Sequence, residues 1–333
     1  MMRWLCVLWL NLATTTLFAQ SSLIDSIINP ASLKDIVEFL AADSLKGRLT
    51  STPGEQTAGE FIARAFQKAG ALPITGNDGY FMYFNYAWKD KPHTSRNVVA
   101  VLPGTELTDE VVIFSAHYDH VGTKATNPVN FLPEKGKPEK NDSIYNGAND
   151  NASGISALIS IARYFGKLAN NKRTIMLIAF SGEELGLMGS REMIKTINVG
   201  LTKAMINMDM LGVGRGRRNT RPFITGAEYS NLDIIMNNRL HAINPELYRK
   251  NYFIRDPFPD DNLFSRSDNY WFATRGIPSH TVMVTSPHNR YYHSLNDEPA
   301  TIDFKLLTQV IKAIALGATA IIDGPATPKR IVF

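Results

Sequence analysis

The sequence predicts a layered α/β fold, and three observations carry that prediction. Apolar runs bounded by turn residues, Asn97–Leu102 (NVVAVL), Val111–Ala116 (VVIFSA) and Thr174–Phe180 (TIMLIAF), read as strands buried on both faces. Segments with apolar residues at helical spacing alternate with those runs, which is the order of a sheet covered by helices. The chain has 333 residues, 44% hydrophobic and 20% charged, a profile that builds either one large α/β domain or two small ones.

At the N-terminus, Arg3 precedes the apolar run WLCVLWLNLATTTLF, which ends at Ala19 and Gln20. A basic start, a short apolar core and a small residue at the cut are the parts of a secretory signal, with cleavage expected after Ala19. The run is short for a membrane span, so no stable membrane association is expected after cleavage. Cys6, the one cysteine, leaves with that segment. The mature chain then forms no disulfide, and a large core and a metal must supply its stability.

The elements follow in order. Ser32 is expected to cap a helix to Leu40, Gly47–Gly54 is turn-rich, and a second helix runs over Glu55–Ala69. Gly122–Tyr145 is a long polar connection placed beside the site. Helices are expected at Ile155–Phe165, Leu185–Thr196, Asn231–Ala242 and Phe304–Ile322, with strands at Ala204–Met208, Phe223–Thr225 and His280–Val284. The formal net charge is only +4, and the one basic run, Gly214–Arg221 (GRGRRNTR), reads as a solvated loop. No nucleic-acid partner is expected.

The acids and histidines fall where such a sheet places its ligands, at the carboxyl ends of strands. His117 and Asp119 close the VVIFSA run. Strand alternation puts them on one face, with Tyr118 and His120 on the other. Asp150 stands in Asn146–Ser153 (NGANDNAS), just before a helix, where it is either that helix's N-terminal cap or a carboxylate shared by two metals. Glu183 and Glu184 follow TIMLIAF, and adjacent carboxylates repel unless cations sit nearby. Asp209 ends the next strand and His293 lies in YYHSLND. Two histidines and several carboxylates are donor types suited to zinc.

Taken together, HYD, GANDNASG, SGEELGLMGS, NMDM and YYH resemble the di-zinc exopeptidases, the family of the secreted bacterial aminopeptidases, with glutamate carboxypeptidase and glutaminyl cyclase as more distant members. The likeness runs from about Leu33 to Phe304. It implies a single catalytic domain over residues 20–333, built on a mixed, mostly parallel central sheet flanked by helices in the phosphorylase/hydrolase-like manner. It also implies two Zn2+ ions, one on His117, Asp150 and Asp209, the other on Glu184, Asp150 and His293. Glu183 takes the place of the general base, and Asp119 that of the carboxylate behind His117. The residues alone do not rank Glu183 against Glu184; that order comes from the resemblance, as does a cis peptide at Asp150-Asn151.

The implied activity is that of a secreted or periplasmic aminopeptidase acting on a peptide or small-molecule amide. A one-zinc glutaminyl cyclase, a carboxypeptidase or amidase, and a non-catalytic binding module stand as alternatives. Two positions depart from the family pattern, Asn269 in Ser267-Asp268-Asn269 and Leu295, and both put substrate-side contacts in question. Arg266 and Asp268 are expected to pair as a surface salt bridge, with contact to substrate as the alternative. Met283, Tyr291 and Tyr292 are either core or the lining of a side-chain pocket.

Overall fold

Residue alternation along the central strands shows how the sheet is covered. The computed structural model describes residues 22–74, 76–126, 142–213, 221–285 and 289–333. The expected signal segment, residues 127–141 of the long polar connection and most of the basic run at 214–221 lie outside those residues. In β4 (Leu107–His117), Val112, Phe114 and Ala116 point to one core and Ile113 to a second. In β5 (Arg173–Phe180), Ile175, Leu177 and Ala179 join the first, while Ile178 and Phe180 join the second. In β6 (Thr202–Asp209), Ala204, Ile206 and Met208 face Met205 in the same way. Both faces are dry, which is why these strands are continuous apolar runs rather than alternating ones.

The remaining strands are β1 (Leu72–Pro73), β2 (Phe81–Trp88), β3 (Lys91–Leu102), β7 (Phe223–Ile224), β8 (Ile254–Arg255) and β9 (Ser279–Met283). They form one mixed sheet in the order β1-β3-β5-β4-β6-β9-β7-β8, with β2 paired to β3. The centre is parallel: β4 pairs with β5 and β6, and β6 with β9. Register sets His117 opposite Phe180 and Asp209 opposite Met283, so the carboxyl ends of the parallel strands share one edge. The single domain with a mixed central sheet and flanking helices is as the resemblance implies.

Helices α1 (Pro30–Leu40), α2 (Pro53–Lys68), α3 (Gly154–Leu168) and α7 (Phe304–Ile322) contribute to the larger core, while α4 (Met188–Met193) and α6 (Asn269–Ala273) lie over the smaller one; α5 (Leu232–Ile243) packs on α7. α7 is long and apolar, yet most of it is buried against its neighbours. Each Leu or Ile it buries stabilises the fold by roughly 1.5–3 kcal/mol.

Several expectations need correction. Ser32 is not the cap of α1. Asn29 is, its Oδ1 accepting from the Ser32 N–H at 3.0 Å, with Pro30 opening the helix and Ser32 completing a capping box. The helix expected from Leu185 starts only at Met188, because Gly186 (φ 99°) and Leu187 (φ 60°) are left-handed and postpone helical geometry. β2 has no counterpart among the expected strands. Asp150 does not cap α3: the Gly154 N–H is met at 2.9 Å by Asn151 Oδ1 instead.

Candidate metal centre

His117 is the last residue of β4, and the chain leaves the sheet there. Alternation therefore does not extend to Tyr118–His120, and His120 turns back into the site rather than away from it. Its Nδ1 lies 2.9 Å from Glu184 Oε1 and its ring meets that of His293 edge-on at 5.7 Å. This is a site residue that the strand argument had placed on the opposite face. The signal was available, since a three-residue overrun past the strand end makes the face of His120 undetermined.

Asp150 lies in an irregular turn over Ala148–Ser153, with a cis peptide to Asn151 as the resemblance implied. Its two oxygens face two different imidazoles. Oδ1 lies 3.3 Å from His117 Nε2, and Oδ2 lies 3.3 Å from His293 Nε2. His117 Nε2 also faces Asp209 Oδ1 at 3.6 Å, and His293 Nε2 faces Glu184 Oε2 at 2.9 Å. Two groups of donors result, His117 with Glu183 and Asp209, and His120 with Asp150, Glu184 and His293, the donor atoms of each lying within 4.8 Å of one another. All seven residues that the sequence singled out converge here except that the Asp119 carboxylate stands one step back.

The donor set fits a borderline-soft divalent metal such as zinc, being made only of imidazole nitrogens and carboxylate oxygens. Asp209 supplies a further observation: its Oδ1 is buried and accepts no hydrogen bond, while its Oδ2 accepts from Ser267 Oγ at 2.8 Å. An acceptor left bare in a dry site is costly unless a cation meets it.

Charge balance pushes the groups apart. Burial opposes ionisation of Asp150, but its contacts with His117 and His293 hold it well below the usual carboxylate range. Glu184, against the same burial, is drawn down to about 2 by His293. Glu183 goes the other way: burial, reinforced by the charges of Glu184, Asp268 and Asp209, raises it well above the usual range. Burial lowers the affinity of His117 and His293 for protons, yet the surrounding carboxylates raise both well above the ordinary imidazole value. Neighbouring carboxylates whose values are driven in opposite directions suit different chemical roles.

A second ring holds these groups in place. Asp119 Oδ1 is 3.8 Å from His117 Nδ1, longer than a hydrogen bond; the imidazole instead faces the Asp119 backbone carbonyl at 3.2 Å. The Asp119 carboxylate accepts from Thr50 Oγ1 at 2.9 Å and from the backbone N–H groups of Glu183 and Glu184 at 3.2 and 3.3 Å. It thus fixes the Glu183-Glu184 turn more directly than it orients His117. Arg48, fully buried, donates to the carbonyls of Leu40, Tyr118, Asn146 and Gly147. Asp297 accepts from the N–H of Asn149 at 2.9 Å and of Asp150 at 3.0 Å. None of Thr50, Arg48, Ser267 or Asp297 sits in a periodic segment, and none was assigned a role from the sequence.

The donors open into a cleft of about 220 Å³ whose walls include Met210, Leu263, Arg266, Met283 and Tyr292. Met283 and Tyr292 line it as one of the two readings held, whereas Tyr291 packs against the main core. The expected Arg266–Asp268 surface pair does not form, because Asp268 is fully buried while Arg266 is exposed. Asn269 and Leu295 are not among the described residues that line the cleft. Asn269 links the Phe264 carbonyl to Thr281, and Leu295 packs with Val121 and Tyr145.

A parallel-centred sheet that gathers imidazoles and carboxylates at its strand ends carries the donor set of a zinc metallopeptidase. Residues 97–318 match the family model described as Peptidase family M28, and the chain belongs to that family of zinc metallopeptidases. A probable zinc metalloprotease of Phaeosphaeria nodorum is 27% identical over 206 residues, 57% of this chain and 39% of that protein. The chain spans about two fifths to a half of the length of the curated relatives it matches first. The aminopeptidase of Aneurinibacillus sp. strain AM-1 shares the fold at a TM-score of 0.64 and 16% identity, over 93% of this chain and 97% of that one. The glutaminyl cyclase of Porphyromonas gingivalis shares it at 0.67 and 16%, over 87% and 98%.

Proposed function

We propose that this chain is a secreted aminopeptidase that holds two zinc ions and hydrolyses the N-terminal residue from peptides. The observation that carries the reading is Asp150, whose two oxygens each face a different histidine at 3.3 Å, the placement of a carboxylate shared between two ions. His117, Asp150 and Asp209 would hold one ion, and Asp150, Glu184 and His293 the other. Bound zinc would polarise the scissile carbonyl and acidify the attacking water.

The protein groups do the rest. Glu183 lies with the His117 and Asp209 donors, where its carboxylate would take the proton of the attacking water and return it to the leaving amine. Asp119 holds the backbone of Glu183 and Glu184 so that the two carboxylates point to different tasks. The acidic cleft, with Asp261 at its wall, favours a free substrate α-amine. Cleavage is thereby confined to the first residue. Residues 1–19 act as the secretory signal in this reading, on the strength of Arg3 and the apolar run behind it, and the mature protein recovered outside the cytoplasm would begin at Gln20.

Glutaminyl cyclisation is the competing chemistry on this fold. The presence of His117 and Asp209 beside Asp150 supports a second ion and hence hydrolysis. Metal analysis together with assay on leucyl-nitroanilide, an N-acetylated counterpart and a glutaminyl peptide tests the proposal. Two zinc ions per chain and cleavage of the free-amine substrate alone are expected. A single ion with ring closure of the glutaminyl peptide would overturn it.

A further inference from the structure

Among the described residues lining the cleft, Arg266 is the one guanidinium or ammonium, where Asp150, Glu183, Glu184, Asp209 and Asp261 are all acidic. An arginine in such surroundings is expected to pair with one of them. Among the described residues no carboxylate lies within ion-pairing distance of it. The exposed guanidinium reaches only the Tyr292 hydroxyl, Nη2 to oxygen at 3.5 Å. Tyr292 in turn stacks on His293, with ring centroids 3.9 Å apart and planes 21° from parallel. A side chain from the Asp261–Ser267 stretch and one from the His293 loop thus set an uncommitted cation one phenol ring away from a proposed metal ligand.

Met210, Met283 and Leu263 of the lining belong to a small apolar cluster with Phe223 and Tyr292, and the neutral polar residues Ser267, Thr285 and Asn289 line the cleft beside them. Guanidinium groups bind carboxylates through paired N–H donors, and such contacts gain strength where water is partly excluded.

We propose that Arg266 is a specificity-determining residue that binds a carboxylate of the substrate, borne within a few covalent bonds of the scissile carbonyl. Two substrate groups satisfy that reach: the C-terminal carboxylate of a dipeptide and the side chain of an acidic N-terminal residue. The inference deepens the peptidase reading and rests on it for the identity of the site, but it is tested by binding as well as by turnover.

The first arm compares Leu-Ala with Leu-Ala-amide, and the second compares glutamyl-nitroanilide with glutaminyl-nitroanilide, on the intact zinc-loaded chain and on Arg266→Gln. A carboxylate held by Arg266 gives the acid of one pair a KM lower than its neutral partner by about tenfold or more, and Arg266→Gln brings that ratio close to one. The pair that shows the effect identifies the carboxylate. A third arm titrates the reduced-amide isostere of Leu-Ala and its C-terminal amide by calorimetry, and does the same for the isostere with an N-terminal glutamate and its glutamine counterpart. None of these is turned over. Absence of turnover with an Arg266-dependent binding ratio retained would defeat the hydrolase reading and leave this inference standing. Ratios near one in all arms for the unaltered chain, or a ratio that survives Arg266→Gln, would overturn the inference whether or not the peptides are cleaved. Loss of binding for acid and neutral ligands alike in Arg266→Gln would also overturn it, as that is the behaviour of a merely structural residue.

Discussion

Asp297 Oδ2 accepts the backbone N–H of Asp150 at 3.0 Å, and through that bond the loop carrying His293 fixes the loop carrying the carboxylate between the two histidines. Its other oxygen accepts from Asn149, and its own carbonyl accepts from Ala148 at 2.9 Å, so three successive residues of the Asp150 loop hang on one aspartate. Burial pushes this carboxyl up to about 7, against the pull of those two N–H groups, so its ionised form is kept only with their help. In Asp297→Asn one oxygen becomes an N–H2 group aimed at an N–H donor. We expect metal affinity to fall by roughly 10–100-fold, as for other groups that orient ligands. Stability should fall by roughly 1–3 kcal/mol. Zinc competition with a chelator, beside urea unfolding, separates the two effects.

The roles proposed for two acidic residues give opposite metal signatures. Glu183→Gln keeps size and hydrogen bonding but removes the proton acceptor, so turnover should drop by roughly 10²–10⁴-fold while bound zinc stays unchanged. Asp150→Ala removes both oxygens that face His117 and His293 and should empty both positions. Elemental analysis of the two variants decides the matter. Full rate in Glu183→Gln at unchanged metal content would remove Glu183 from the mechanism.

How far these features could be read from residue order depends on what kind of signal each one left. β4, β5 and β6 were legible because burial on both faces makes them unbroken apolar runs, and α7 because its apolar spacing persists for five turns. β2 was missed: Phe84 and Tyr86 are buried between exposed Tyr83, Asn85 and Ala87, but apolar residues stand on both faces, so the alternation in burial is not written as apolar and polar residues. His117, Asp150, Glu183, Glu184, Asp209 and His293 were legible as ionisable residues at successive strand ends, an improbable pattern in a random chain. His120 was misplaced because an alternation rule was carried beyond the last strand residue. Arg48, Ser267 and Asp297 act through backbone carbonyls, backbone N–H groups or a single hydroxyl, and such contacts depend on chain paths that no local pattern encodes.

Arg48 shows what that hidden layer contributes to stability. Its guanidinium satisfies four carbonyls from three separate segments, and burial lowers its pKa only to about 10, since Asp297, Asp150, Asp119 and Glu184 surround it. Arg48→Met would leave those carbonyls without donors and the acidic cluster without its buried counter-charge. A loss of roughly 3–5 kcal/mol is expected. Arg48→Lys should fall between, because an ammonium cannot span the same fork of acceptors. Urea midpoints of the three proteins at one pH supply the comparison.

His280 gives a pH dependence remote from the proposed metal ligands. It is buried in β9, with Nδ1 against the Thr225 carbonyl at 2.9 Å and Nε2 against Ser230 Oγ at 2.6 Å. The groups facing it are these two and the ring of Phe264 at 5.9 Å, and burial holds its pKa down at about 4 from the usual 6.5. The folded chain therefore prefers the neutral ring, while the unfolded chain takes up a proton below 6.5. The stability contributed is fully present above 6.5 and is lost as pH falls through the interval from 6.5 to about 4. Linkage puts the loss at about 2 kcal/mol at pH 5 relative to pH 8. His280→Gln keeps polar atoms near both partners and removes the titration, so its unfolding free energy should change less between those two pH values by that amount. The comparison is between differences, so a uniform destabilisation by the substitution drops out. Equal pH sensitivity in the two proteins would mean that His280 is not the residue through which mild acid weakens the fold.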